Sequence, residues 1–102
     1  MKVAIPKSVT VGSFDYRITY SPKLVYDHSK LGQCVTDSQL IKIEPDTTIE
    51  TKNQALFHEI VHAINDVYNC ELNEMNIDRI AQGITAVLKN DFKIELDWKE
   101  IK

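Results

Sequence analysis

The sequence lacks the features that mark membrane proteins and nucleic-acid-binding proteins. It has no apolar run near the ~18 residues that cross a bilayer, so no membrane-spanning helix is expected. It has no basic run and a net charge of −3, which argues against nonspecific binding to nucleic acid. Internal repeats and low-complexity tracts are also missing. We therefore expect neither a membrane nor a nucleic acid as a partner.

Cysteine is scarce as well. Cys34 and Cys70 are the only two, and neither belongs to a Cys-x-x-Cys pair, so we expect free thiols rather than a disulfide or a cysteine metal site. The first residues contain no signal-peptide apolar segment, because Pro6 and Lys7 interrupt it. The sequence therefore predicts a cytoplasmic protein.

What is present fits a small globular domain. With 102 residues, 43% of them apolar and 26% charged, the chain suits a single domain over residues 1–102 with one modest core. Alternating apolar residues predict strands over 9–11, 14–20, 33–36 and 39–43, the first two joined as a hairpin through Gly12 and Ser13. The predicted fold class is α+β: a small, mostly antiparallel sheet from the N-terminal half, packed against two helices.

The two helices are predicted over residues 48–68 and 74–89. Thr47 and Glu50 have the spacing of a capping box, which makes Thr47 the expected N-cap of the first helix. That helix carries an apolar stripe of Leu56, Ile60, Ala63, Ile64 and Val67. Beside it runs a small or polar stripe that we expect to line a cleft: Thr51, Ala55, His58, His62 and Asn65. The expected buried stripe of the second helix is Ile77, Ile80, Ala81, Ile84, Val87 and Leu88.

The first predicted helix contains the sequence His58-Glu59-Ile60-Val61-His62. On a helix, residues four apart lie about one turn apart on the same face, so both imidazoles can reach one metal ion. Glu59 lies roughly 100° further round, where it can touch a metal-bound water without ligating the metal. This is the H-E-x-x-H pattern of zinc-dependent hydrolases, with two ligands and a general base. The alternative is a solvated histidine pair, or one satisfied by hydrogen bonds in the core.

A catalytic zinc site needs a third protein ligand. No histidine follows the motif, so the candidates are the downstream acids Asp66, Glu71, Glu74 and Asp78. Glu74 and Asp78 lie one turn apart at the start of the second helix, and the longer Glu74 suits a ligand. Asp78 then suits a role behind the metal, accepting the outer N–H of a ligating histidine. A helix N-terminus also favours acids through its dipole, which is an explanation without metal.

The segment from Asn73 to Asp78 reads N-E-x-x-x-D, and with the upstream H-E-x-x-H it resembles the gluzincin metallopeptidases. The size of the chain and the short spacing to Glu74 are similar to the smallest members, the minigluzincin-like and ImmA/IrrE-type peptidases of phages and mobile elements. This resemblance covers roughly residues 31–90. It implies a zincin-like fold, Zn²⁺ held by His58, His62 and Glu74, Glu59 polarising the water, and a substrate cleft lined by the strand Gln39–Ile43.

The function expected from this resemblance is hydrolysis of a peptide or protein substrate by a zinc-activated water, with Glu59 as the base. The resemblance identifies no oxyanion-stabilising residue, and the candidates from the sequence are Tyr26, His28 and Tyr68. The alternatives are a zinc-stabilised binding or regulatory module without turnover, and an adaptor without metal.

The tail from Phe92 to Trp98 is apolar at alternate residues, so we expect it to dock rather than to stay exposed. It either completes a sheet as an edge strand or lies along the cleft and holds the protein latent.

Overall fold

A computed structural model of the protein describes residues 1–24 and 30–102, which form six strands and two long helices. In chain order these are β1 (Lys2–Ala4), β2 (Ser8–Val11), β3 (Phe14–Tyr20), β4 (Gly32–Val35), β5 (Leu40–Ile43), α1 (Ile49–Tyr68), α2 (Glu74–Asn90) and β6 (Glu95–Asp97). The architecture confirms the α+β class. In the described part of the chain, neither helix is long and apolar enough to cross a membrane.

The main sheet has four strands in the order β2-β3-β5-β4. The pairs β2–β3 and β4–β5 are antiparallel, and β3–β5 is parallel. Strands β2 and β3 form the predicted hairpin, with Gly12 at a φ of 61°, a left-handed conformation that glycine adopts without steric cost. Among the described residues nothing pairs with the outer side of β4, so β4 is an edge strand.

Helix α1 lies across one face of this sheet. Its Leu56 and Ala63 enter a core with the sheet residues Tyr16, Ile41 and Ile43, which are at most 1% exposed. The helix begins one residue later than predicted: Thr48, not Thr47, is the N-cap, and its Oγ1 accepts a hydrogen bond of 3.1 Å from the Thr51 N–H. The predicted N-cap is wrong by one residue because Thr47 and Thr48 are adjacent and both offer a hydroxyl that can accept the capping hydrogen bond.

Helix α2 packs chiefly against α1 rather than the sheet. Ile77 and Ala81 are buried against Val61, as predicted for the second stripe. Ile80, Ile84 and Val87 were expected to be buried, but they are 39–45% exposed. The prediction is wrong for these three because α2 covers a single neighbouring helix, which buries only a narrow stripe of an α-helix.

The tail docks on the core, away from the histidines. Strand β6 pairs in parallel with β1 to form a second, two-stranded sheet. Trp98 is buried, stacks on Tyr20 with a ring separation of 5.9 Å, and donates its indole N–H to Asn53 Oδ1 at 2.7 Å. Ile101 is also buried. Phe92 is 62% exposed, because β6 begins only at Glu95 and the docked part of the tail follows it.

Candidate metal centre

Helix α1 presents His58 and His62 on one face, and the first turn of α2 presents Glu74 to both. The Nε2 atom of His58 lies 2.6 Å from Glu74 Oε1, and the Nε2 atom of His62 lies 2.9 Å from Glu74 Oε2. One candidate ligand atom from each of the three residues falls within 4.8 Å of the others. At Zn–N and Zn–O bonds of ~2.0–2.2 Å, two ligands of a tetrahedral zinc are about 3.4 Å apart. The three side chains could therefore hold a metal ion, and the Glu74 carboxylate would then move away from the two nitrogens, since 2.6 and 2.9 Å are hydrogen-bond distances.

The break between the helices fixes where Glu74 lies. Asn69 ends α1 in a left-handed conformation, with φ of 53°, and its N–H bonds the Asn65 carbonyl. The side chain of Asn65 accepts the Leu72 N–H at 2.8 Å, and Asn73 caps α2 by accepting the Asn76 N–H at 2.8 Å. Asn65 was predicted to line the cleft, but its amide oxygen bonds the inter-helix segment instead. The short, bonded connection therefore places the first turn of α2 beside the histidines.

Asp78 lies on the other side of the His58 ring. Its Oδ1 is 3.2 Å from His58 Nδ1, and its Oδ2 accepts a hydrogen bond of 2.7 Å from the Gln82 amide. His58 thus stands between two carboxylates. A neutral imidazole carries one ring proton, so it can donate to Asp78 or to Glu74 but not to both. Both contacts are satisfied by an imidazolium, by a Glu74 carboxyl that carries the proton, or by a cation at Nε2 with the single ring proton on Nδ1.

Glu59 lies beneath this group and is 93% buried, since only 7% of its surface is exposed. Burial raises the pKa of the Glu59 carboxyl, and the nearby His58 and His62 partly oppose that rise. Strand β4 passes close to it: a Cβ at Gly32 would lie 3.0 Å from Glu59 Cγ and 3.1 Å from Oε2. Glycine at position 32 therefore lets the edge strand approach the carboxylate.

These residues share a cleft of about 610 Å³ between α1, α2 and the edge of the sheet. That volume is typical of small-molecule and peptide sites. The cleft is lined by Lys30, Leu31, Gly32, Gln33, Cys34, Thr51, Gln54, Ala55, His58, Glu59, His62, Asp66, Glu74 and Asp78.

The cleft strand is β4, not the strand expected from the resemblance. Residues 39–43 were predicted to line the cleft, but β5 pairs with β3 on one side and β4 on the other, so it lies inside the sheet. Gln39 precedes β5 in a left-handed turn, with φ of 53°. Pairing partners are not encoded locally, and β4, which is less apolar than β5 and equally long, takes the edge.

The chain matches no protein-family model, no curated protein and no solved structure. The resemblance to gluzincins therefore rests on the residues quoted above. What the geometry adds is that these residues, apart in sequence, lie in one cleft.

The other candidate residues are placed as follows. Asp66 lines the cleft at a distance from the histidine–glutamate group and accepts a hydrogen bond of 3.0 Å from Thr36 Oγ1. Glu71 is exposed and does not contribute to that group. Tyr68 is not a cleft residue: it lies beside the β2–β3 turn, where a Cβ at Gly12 would be 3.9 Å from its hydroxyl. Tyr26 and His28 lie outside the described residues.

Sequence reasoning missed two residues of the cleft, Gly32 and Lys30, and one residue that bonds Asp78 from outside the lining, Gln82. Gln82 follows Asp78 by four residues on α2, a spacing that places two polar side chains together on a helix and could have indicated the hydrogen bond. Gly32 lies directly before the predicted strand 33–36, and a glycine beside a strand permits close approach of another group. No local sequence pattern predicts that Lys30 lies in the cleft, because its position there follows from how the strands pair.

Proposed function

We propose that this chain is a zinc-dependent peptidase that resembles the small gluzincins. The observation that carries the proposal is the position of His58 between Asp78 and Glu74, since one ring proton cannot satisfy both carboxylates. With the proton on Nδ1 facing Asp78, His58 Nε2 offers a lone pair to a cation, as does His62 Nε2. Carboxylates that orient ligating histidines in this way are typical of zinc enzymes.

In this proposal His58, His62 and Glu74 hold the metal. When bound, zinc lowers the pKa of a coordinated water toward 7 and polarises a carbonyl oxygen. Glu59 takes the proton of the attacking water and then gives it to the leaving amine. A buried carboxyl with a raised pKa suits both steps, because it holds a proton more readily than an exposed glutamate does.

Strand β4 supports a peptide as the substrate. Leu31 accepts a backbone hydrogen bond of 2.9 Å from Glu44, which sets the alternation of the antiparallel β4–β5 ladder. Within each of the pairs Gln33–Lys42 and Val35–Leu40, the two residues therefore exchange backbone hydrogen bonds. The backbone N–H and C=O groups of Gly32 and Cys34 then face outward at the sheet edge. An extended peptide can add to that edge as a further strand.

We also place the protein in the cytoplasm. Cys34 and Cys70 are both free, and unpaired thiols persist in a reducing compartment.

The test is cleavage by zinc-loaded protein purified without a histidine tag, using a panel of unfolded proteins as substrates. We expect weak peptidase activity that a chelator removes and added Zn²⁺ restores. Glu59→Gln should reduce cleavage by orders of magnitude while keeping the metal. Glu100→Gln, the same substitution at an exposed tail residue, should leave cleavage unchanged.

Two outcomes contradict the proposal. Cleavage that persists in Glu59→Gln comes from a contaminant. Stoichiometric zinc with no cleavage of any substrate indicates the zinc-stabilised binding module instead.

A further inference from the structure

Side chains of opposite charge lie beside the two ends of strand β4. Lys30 precedes the strand and lines the cleft, and among the lining residues that the structure describes it is the only lysine or arginine. At the other end, Thr36 follows the strand and donates its hydroxyl hydrogen bond to Asp66 at 3.0 Å, which fixes that carboxylate beside the end of β4. The histidine–glutamate group lies between these ends, since Glu59 packs on Gly32 and Asp66 follows His62 by one helical turn.

The remaining carboxylates of the cleft do not cancel this arrangement. Glu74 and Asp78 both contact the His58 ring, and Glu59 is buried under the histidines, so these three acids are committed to the middle of the cleft. Asp66 contacts no histidine in the described residues; its neighbour is the Thr36 hydroxyl. Lys30 and Asp66 are both exposed, so each can meet a ligand, and the Lys30 charge also acts on the nearby Glu59 carboxylate.

An extended chain on this edge meets both charges in a fixed order. Lys30 and Thr36 are six positions apart along the chain, which is about 20 Å at ~3.3 Å per residue for extended backbone. A chain antiparallel to β4 places its N-terminal side at Asp66 and its C-terminal side at Lys30. A parallel chain places a free amine beside Lys30 and a free carboxylate beside Asp66, which is repulsive at both ends.

We propose that the cleft selects extended peptides by charge polarity: a basic side chain or free amine on the N-terminal side of the bound segment, and an acidic side chain or free carboxylate on its C-terminal side. Lys30 and Asp66 are the specificity-determining residues. This inference rests on the proposed peptidase function, since it names the peptides that the same cleft takes.

The test is binding of two peptides of about six residues with identical composition and blocked ends. One has lysine first and glutamate last, the other has them exchanged, and the residues between are apolar. Binding is measured by fluorescence anisotropy on the zinc-loaded Glu59→Gln variant, so that no peptide is consumed. We expect the lysine-first peptide to bind about 5- to 30-fold more tightly at low salt, because exposed ion pairs each contribute only a few-fold. At 1 M salt the preference should nearly vanish.

Charge exchange in the protein is the decisive variant. In Lys30→Glu/Asp66→Lys the preference should invert, with the glutamate-first peptide binding more tightly. Lys7→Glu/Asp91→Lys makes the same exchange at two exposed residues outside the cleft and away from the ends of β4, and should keep the original preference. Unfolding by urea checks that both double variants are folded. Free-ended peptides with uncharged side chains then show whether terminal groups serve in place of side chains.

Equal binding of the two peptides, or a preference that the cleft exchange leaves unchanged, overturns the inference. Absence of binding by both peptides also overturns it, while cleavage of unfolded proteins by the wild type would still support the peptidase. Conversely, if the lysine-first peptide binds more tightly but the wild type cleaves no substrate, the inference is supported and the proposed peptidase function is contradicted.

Discussion

His58 contacts more charge than any neutral histidine can satisfy, and this single side chain connects both helices of the site. Its two ring nitrogens face Asp78 and Glu74, which lie one turn apart on α2. In the proposed function, a metal ion bound to Nε2 would take the place of the second ring proton, and the imidazole would stay neutral. The residues around the ring therefore have separable roles, which substitutions at the same site can distinguish.

Metal stoichiometry is the first prediction at this scale. Purified protein should bind one zinc per chain; His58→Ala should abolish stoichiometric metal, and Glu59→Gln should retain it, as measured by elemental analysis after dialysis. Asp78→Asn should weaken zinc affinity by roughly 10- to 100-fold, since it changes only the orienting partner of His58. If Asp78→Asn removes the metal entirely while Glu74→Gln does not, the two acids have exchanged roles.

The thiols provide a second prediction. Burial, together with the negative charges of Glu59 and Asp66, raises the pKa of Cys34 to about 12. The thiolate is the reactive form, so at pH 8 Cys34 should alkylate at least tenfold more slowly than the exposed Cys70. Mass spectrometry of iodoacetamide-treated protein measures both rates, and concentrated urea should remove the difference. Asp66→Asn takes away one negative neighbour and should make Cys34 react faster; slower labelling would contradict the assigned cause.

At the scale of elements, two glycines have opposite roles. Gly32 lies where a Cβ would press on Glu59, whereas a Cβ at Gly83 on α2 would meet nothing within 4 Å. We expect Gly32→Ala to lower peptidase activity at least tenfold with zinc retained, because it displaces the base. Gly83→Ala should raise the free energy of unfolding by about 0.5–1 kcal/mol and leave activity unchanged. Urea titration and the cleavage assay measure both, and full activity in Gly32→Ala would show that β4 does not constrain Glu59.

The helices could be predicted from sequence because their signals are local. The apolar period of 3.6 residues, the polar break after Tyr68 and the acids at the start of α2 all act within a few residues of one another. The same spacing placed His58, Glu59 and His62 on one helix and made Glu74 a candidate ligand. Which face α2 leaves exposed was not predictable, because it depends on the absence of a second covering layer.

The sheet order could not be predicted because it depends on contacts between distant segments. The parallel pairing of β3 with β5, the position of β4 at the edge and the pairing of β1 with β6 each join residues far apart in sequence. Alternation identifies a strand but not its neighbour. For this reason the cleft strand was assigned to residues 39–43, and Lys30 was not recognised as a cleft residue.

At the scale of the whole molecule, the position of the tail favours a structural role over a role in holding the protein latent. Truncation after Asn90 removes β6 and the buried Trp98 and Ile101, so we expect it to destabilise the domain severely rather than to activate it. Two substitutions test this within the intact chain by urea unfolding. Trp98→Ala should cost about 3–5 kcal/mol, and Phe92→Ala, at an exposed aromatic of the same tail, about 0.5 kcal/mol or less. A stable, more active truncated protein would restore the latency hypothesis.

The pairing of β1 with β6 also has a consequence for how the chain folds during synthesis. Lys2 pairs with Glu95, and the N-terminal amine donates to the Lys93 carbonyl at 2.7 Å, so the first strand stays without its partner until residues 93–97 have been made. The Tyr20 N–H donates to the Lys102 carbonyl at 2.9 Å, so this one group at the end of β3 also lacks its partner until the tail has been made. At ~5–20 residues per second, these groups bond water rather than their protein partners for several seconds on the ribosome. Closing a loop between residues this far apart in sequence makes the docking of β1 a late, slow step of folding.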